Sequence, residues 1–159
     1  MSVDIRPCHE GDLPELSPYL LRRFAVQQRG EGTLLLAFRG GRFAGSTLVL
    51  ARSKYDEVNA HLGPLMELNS LEAHPQGQGT GTALVHAAET LAREHRATLF
   101  GLAVEHRNRD ARRLYERLGY TSWGRGTVID RWRELDGTEH ADPCDYMTKK
   151  LGTLSTSAT

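Results

Sequence analysis

Apolar positions along the chain follow two periods, and the switches between them outline an alternating layout. Val3 and Ile5 flank Asp4 in a first strand over residues 3–7. A helix is expected from about Gly11 to Gln28. Thr33 to Phe38 and Phe43 to Leu50 read as a hairpin across Gly40-Gly41. Residues 52–63 are polar and read as a loop, and a fourth strand follows from about Leu65 to Ala73. From Thr82 to Arg96 the period becomes helical, with Leu84, Ala87, Ala88, Leu91 and Ala92 on one stripe. Leu99 to Val104 is a continuous apolar run, as in a strand covered on both faces. Ala111, Leu114, Tyr115 and Leu118 repeat the helical stripe. Tyr120 to Val128 and Cys144 to Leu151 are the expected last strands, and the Ser/Thr-rich residues 152–159 read as a flexible tail. Repeats of solenoid length are absent from the sequence.

Composition narrows the function classes. A chain of 159 residues is the size of one domain, enough to bury about two thirds of its unfolded surface. Twenty Lys and Arg balance twenty Asp and Glu, which argues against an electrostatic drive toward nucleic acid or an anionic membrane. No apolar run approaches the ~20 residues of a membrane span. The first residues show no basic region followed by an apolar stretch, so no secretory signal is expected and the protein is expected in the cytoplasm. Cys8 and Cys144 lie far apart in sequence and read as free thiols. The seven histidines form no ligand spacing, so no metal site is expected.

The most telling stretch is Gln76-Gly77-Gln78-Gly79-Thr80-Gly81, set between the fourth strand and the periodic segment that begins at Thr82. Glycines let a backbone turn tightly and approach a ligand. The first N–H groups of a helix lack internal partners and face a favourable dipole, so a phosphate or pyrophosphate is the natural guest. A Walker A loop would need Lys after its last glycine, but Thr82 follows Gly81. A dinucleotide fingerprint counted from Gly77 would need glycine where Thr82 stands.

The pattern that fits is Gln/Arg-x-x-Gly-x-Gly, matched by Gln76, Gly79 and Gly81. It resembles the acetyl-CoA loop of the GNAT acetyltransferase superfamily. A second segment, Asn108 to Tyr120, resembles that family's Asn-x-x-Ala-x-x-Leu-Tyr-x-x-x-Gly-Phe/Tyr motif at every fixed position. Val3 to Pro7, Glu10 to Pro14, and the hairpin around Gly40-Gly41 with Gly45 are similar to its first elements. The likeness spans roughly residues 3 to 150. Two departures stand out: Pro75 abuts Gln76, where family members carry two more residues, and position 73, often Val, is Ala.

The resemblance implies a single-domain α/β (α+β) fold over residues 1–151, with a mixed, mostly antiparallel sheet flanked by helices. It implies acetyl-CoA as acyl donor and N-acetylation of a primary amine by direct attack in a ternary complex. The acceptor is a small molecule or a peptide amine, and a homodimer is compatible with the sequence. Two rivals stand: a non-catalytic acyl-CoA-binding or sensing module, and transfer of a different acyl group. Residues 76–82, that is Gln76, Gly77, Gln78, Gly79, Thr80, Gly81 and Thr82, would hold the CoA pyrophosphate. Leu71, Glu72 and Ala73 would offer a free strand edge to the pantetheine arm.

Acyl transfer needs a neutral amine, donors for the oxyanion and a proton for the departing thiolate. A lysine-like amine is neutral in only about one molecule in 2500 at pH 7, which makes a base worthwhile. By resemblance Tyr115 is the general acid; on spacing alone it is a core aromatic, and both can hold. Glu67 is the candidate base on the strand expected beside the thioester, with Glu72 as rival and paired surface charge as the bland alternative for either. Alternation puts the two glutamates on opposite faces unless a bulge intervenes. By resemblance Asn108 bonds the pantetheine arm; on its own it reads equally as a helix N-cap. Gln76 and Gln78 reach phosphate or simply fill the loop. The segment Gly124 to Asp142, flanked by Trp123 and holding Trp132, Asp130, Glu134 and Asp136, reads as a solvated hairpin or as an acceptor lining suited to a cationic amine.

Overall fold

The computed structural model describes residues 2–152. Its strands are β1 (Val3–Pro7), β2 (Gly32–Arg39), β3 (Arg42–Leu50), β4 (Met66–Ala73), β5 (Leu99–Glu105), β6 (Thr121–Arg133) and β7 (Glu139–Lys150). They form one sheet in the order β1-β2-β3-β4-β5-β7-β6. Only β4 and β5 pair in parallel; the other neighbours are antiparallel. The helices are α1 (Pro18–Gln28), α2 (Asp56–Leu62), α3 (Thr80–Glu94) and α4 (Arg109–Arg117). This is the mixed, mostly antiparallel sheet flanked by helices that the family resemblance implies.

Two apolar layers follow from strand alternation. Leu35, Val49, Leu68, Phe100, Leu102 and Met147 bury one face against α3 and against Tyr115 of α4. The opposite face carries Leu34, Leu36 and Leu48 under Leu20 and Phe24 of α1. Further along that face, Leu65, Cys144 and Tyr146 lie under Val58 of α2. Cys8 and Cys144 are buried free thiols. Among the described residues no helix is long and apolar enough to cross a membrane.

The structure corrects three boundaries. The helix expected from Gly11 to Gln28 is two pieces, a 3-10 turn over Glu10–Glu15 and then α1. Pro18 explains the break: without an N–H it cannot continue a helix, but it fits the first helical position. Ser17 caps the restart, its side chain accepting from Leu20 N–H at 3.2 Å. Residues 52–63 are not all loop, since α2 lies within them. Its only buried residue is Val58, too little apolar repeat to register as a period. The last two strands extend through the segment read as a linking hairpin, pairing out to Arg133 and Glu139. The tail expected over 152–159 lies outside the described residues except for Gly152, whose carbonyl accepts from Arg93 Nε at 3.1 Å.

Ser17→Ala removes the only side-chain cap of α1. It is expected to lower stability by about 1 kcal/mol, read as a fall of about 2–4 °C in the thermal midpoint. An unchanged midpoint would show that α1 is held by packing alone.

Candidate active site

The site begins with a defect in β4. From Met66 to Leu68 this strand pairs with Phe100 to Leu102 of β5. Beyond Leu68 that pairing stops, while β5 stays bonded to β7 as far as Glu105. On its other side β4 slips by one residue against β3: Asn69 faces Leu48, Leu71 faces Thr47, and Ser70 is the extra residue. Ser70 has φ of 62°, a left-handed conformation rarely adopted by residues with a Cβ. Thr47 Oγ1 donates to the Ser70 carbonyl at 2.5 Å, and Arg23 Nε donates to Ser70 Oγ at 3.0 Å. The bulge twists β4 away from β5 and opens a wedge between them.

A cavity of about 870 Å³ fills that wedge. Leu68, Ser70, Leu71 and Ala73 line one wall and Leu102, Ala103, Val104 and Glu105 the other. Its far end is the turn before α3. Gly77 and Gly79 have φ of 83° and 79°, conformations that favour glycine. The first bond into α3 runs from Ala83 N–H to Gly79 O at 3.0 Å. The N–H groups of Thr80, Gly81 and Thr82 therefore have no carbonyl partner within the helix. Arg39 braces the turn from β2, donating from Nε to Thr80 Oγ1 at 2.9 Å and from Nη2 to Gln78 O at 2.5 Å. Arg113 and Arg117 of α4 add positive charge at the rim.

Tyr115 closes the inner end. It lines the wedge, yet its ring is packed in the core and meets Tyr120 edge-on at 6.0 Å. Burial pushes its phenol up to about 12. Its hydroxyl has no hydrogen-bond partner among the described residues, whereas Tyr120 donates to buried Glu89 at 2.7 Å. Asn108 also lines the wedge, and it caps α4 by accepting from Ala111 N–H at 3.1 Å. The cap uses only Oδ1, so both expected roles remain compatible.

A second cavity of about 1150 Å³ lies on the other face of the sheet, between α1, the β4 bulge and the β6–β7 hairpin. Ser70 and Asp130 line both cavities, so the two meet there. Asp130 is ion-paired with Lys54. Tyr19, Arg23, Leu48, Trp132 and Leu135 form much of the remaining wall.

Of the residues expected at the site, Leu71, Ala73, Gln76, Gly77, Gly79, Gly81, Thr82, Asn108 and Tyr115 line the wedge. Glu72, Gln78 and Thr80 do not. Thr80 is 1% exposed and committed to Arg39. Alternation fails for the glutamates because of the bulge. Glu67 faces Leu50 and Glu72 faces Ser46 in the β3 register, so they share the α1 face. Glu67 is placed differently from the sequence reading. It is 1% exposed and touches neither cavity. Its carboxylate accepts from Ser53 Oγ at 2.5 Å, Tyr146 Oη at 2.7 Å and Lys54 N–H at 3.2 Å. Burial raises its pKa, and these three bonds oppose the rise.

Sequence reasoning missed Arg39, Arg113, Arg117, Ser70 and Gly101. The arginines of α4 stand at i and i+4 in the motif and could have been read as one face. Gly101 carries no local signal: it is required by Tyr146, whose hydroxyl crosses above it to reach Glu67. Among the described residues no group of three or more His, Cys, Asp and Glu could hold a metal ion.

The chain matches the family model described as the Acetyltransferase (GNAT) family over residues 2–120. No curated protein matches it significantly. Many solved structures share the fold. A ribosomal-protein-alanine N-acetyltransferase from Brucella melitensis is 20% identical with a TM-score of 0.68, covering 93% of this chain and 99% of that one. A GNAT family acetyltransferase from Elizabethkingia anophelis with acetyl-CoA bound is 18% identical, TM-score 0.65, over 94% and 98%. PaiA N-acetyltransferase from Thermoplasma acidophilum in complex with coenzyme A is 17% identical, TM-score 0.65, over 94% and 99%.

A Cβ at position 101 would lie 2.2 Å from Tyr146 Oη and 2.7 Å from two ring carbons. Gly101→Ala is therefore expected to destabilise the fold by about 1–3 kcal/mol. A urea midpoint equal to that of the parent would show that the Tyr146–Glu67 contact is dispensable.

Proposed function

The chain belongs to the GNAT acetyltransferase family, and we propose that it moves an acetyl group from acetyl-CoA to a primary amine by direct attack in a ternary complex. One observation carries this reading. A continuous path runs from the unpaired amides at the start of α3, through the β4–β5 wedge, to Tyr115 and to the junction with the second cavity.

The pyrophosphate sits on the N–H groups of Gly81 and Thr82, with the helix dipole and the Arg113 and Arg117 side chains adding attraction. The pantetheine arm lies in the wedge and pairs with the free edge of Leu71 to Ala73 as an added strand would. Unpaired main-chain donors of β4 beside the thioester polarise its carbonyl. The amine arrives from the second cavity and meets the thioester at Ser70 and Asp130. Attack forms the C–N bond and then breaks the C–S bond. Tyr115, kept protonated by burial, gives its proton to the departing thiolate.

Glu67 is the base of this scheme only at one remove. Its raised pKa makes it a stronger base than an ordinary carboxylate, but at 1% exposure no amine reaches it. Ser53, whose hydroxyl donates to Glu67, is itself buried and lines neither cavity, so the relay needs a water between the amine and Ser53. Glu67 also positions the second cavity, since it holds the Lys54 main chain whose Nζ pairs with Asp130.

Two measurements test the reading. At 100 times its Kd, acetyl-CoA is expected to add about 2.7 kcal/mol, a rise of about 5–10 °C; no shift at millimolar ligand removes the donor claim. Thiol release from acetyl-CoA across an amine panel then separates an enzyme from a binding module, and silence with every amine favours the module.

With a weakly basic arylamine, which stays neutral, kcat reports the protein's own groups. It is expected to rise with pH through a value above the usual carboxylate range, as Glu67 ionises. It should show no descending limb below about pH 11, because Tyr115 holds its proton up to about 12. Tyr115→Phe and Glu67→Gln should each lower kcat about 100-fold. A full rate in Tyr115→Phe makes that ring structural only, and an unchanged acid limb in Glu67→Gln removes the relay.

A further inference from the structure

The second cavity holds a cation that the fold uses only through its Nε. Arg23 is half-buried, with its guanidinium 3.8 Å above the Tyr19 ring. Its Nε is spent on Ser70. Neither Nη makes a hydrogen bond, and no carboxylate lies within 4.0 Å of it among the described residues. Glu72 and Asp130 attract it only from beyond ion-pairing range, and Arg22 adds repulsion. Burial lowers its pKa, the mark of a cation stripped of water without a full replacement.

The other charges of the cavity are largely matched. Arg29 pairs with Glu31, Arg133 with Glu139, Lys54 with Asp130, and Glu134 lies 3.4 Å from His140. Arg22 donates to the Arg133 carbonyl and, like Arg23, has no acid partner among the described residues. What remains unanswered in the cavity wall is positive. A guanidinium with both Nη groups free and its plane fixed by an aromatic ring suits a carboxylate, which it binds through two parallel bonds.

We propose that Arg23 is the carboxylate anchor of the acceptor, and that the acceptor is an α-amino acid with an apolar side chain. This rests on the transferase reading for the identity of the second cavity. The anchor is one hydrogen bond from Ser70, at the junction where the amine must stand. Carboxylate and amine are therefore close together on the ligand, as on one carbon. Asp130, paired with Lys54, lies on the other side of the junction. Leu48, Leu50, Val26 and Leu135 supply the apolar wall for the side chain. A peptide N-terminus has no carboxylate at that position, and a polyamine would meet an uncompensated positive charge. The cationic acceptor considered from the hairpin's acids is thus disfavoured: those acids are paired or, like Asp136, capped by the Thr138 amide.

L-Phenylalanine and phenethylamine differ only in the carboxylate and form the matched pair for the test. Thiol release from acetyl-CoA, corrected for the neutral fraction of each amine, is expected to give a kcat/KM about 10–100-fold higher for the amino acid. In Arg23→Gln the ratio should fall to near one. Equal rates for both amines in the parent protein overturn the anchor and leave the transferase reading standing. If neither amine releases thiol, calorimetric binding of N-acetyl-L-phenylalanine and N-acetylphenethylamine to the CoA-loaded protein decides. Tighter binding of the acid by at least about tenfold, lost in Arg23→Gln, upholds the anchor while the transferase reading fails. Equal binding, or none, overturns the anchor.

Discussion

One departure from regular pairing organises this molecule: β4 and β5 bond for three residues and then part. Two parallel strands inside a sheet normally stay paired, because buried amides left alone cost free energy. Here the bulge at Ser70 turns β4 aside. Thr47 and Arg23 hold the bulge from opposite faces, and the buried Glu67–Tyr146 bond ties β4 to β7 across Gly101, where β4 and β5 still pair. The result is a slot with main-chain groups on its walls, ending at the open amides of α3. A ligand rich in amides and phosphates completes bonds that the fold leaves unmade.

The same bulge decides which side chains meet which cavity. It brings Leu68 and Leu71 to the α3 face although they are three residues apart, and it sets Glu67 and Glu72 together on the other. Ser70 itself is exposed to both sides. The two cavities can therefore meet through the sheet at Ser70, with Asp130 of β6 as the second shared wall. Burial then sorts the polar groups between them. Among the described residues Glu67 is sealed and bonded by three donors, Tyr115 has a packed ring and an unbonded hydroxyl, and Arg23 keeps two unspent nitrogens.

Much of this was legible in the sequence because it depends on local pattern. The glycines at 77, 79 and 81 announce a turn that comes close to an anion, and Asn108 to Tyr120 carries its helix, cap and aromatic in one run. The succession of strands and helices follows from alternating periods, whereas the mixed sheet is implied by the family resemblance. What escaped depends on contacts between distant residues. Nothing near Arg39 says that it will brace Thr80, and nothing near Gly101 says that a tyrosine 45 positions later needs its missing side chain. Glu67 was recognisable as a carboxylate in the right strand. Its burial was not, since that is set by Ser53 and Tyr146 from other elements. The break at Pro18 was readable from proline chemistry, but the apolar stripe on either side suggested one continuous helix.

The account stands on the α3 amides gripping a diphosphate so that a thioester reaches Tyr115. A crystal structure of the protein with coenzyme A tests this most directly. The expected result places pyrophosphate oxygens about 3 Å from the main-chain nitrogens of Gly81 and Thr82, with the sulfur in the wedge beside the Tyr115 hydroxyl. Coenzyme A bound elsewhere, with the turn at residues 76–82 bare, would contradict it.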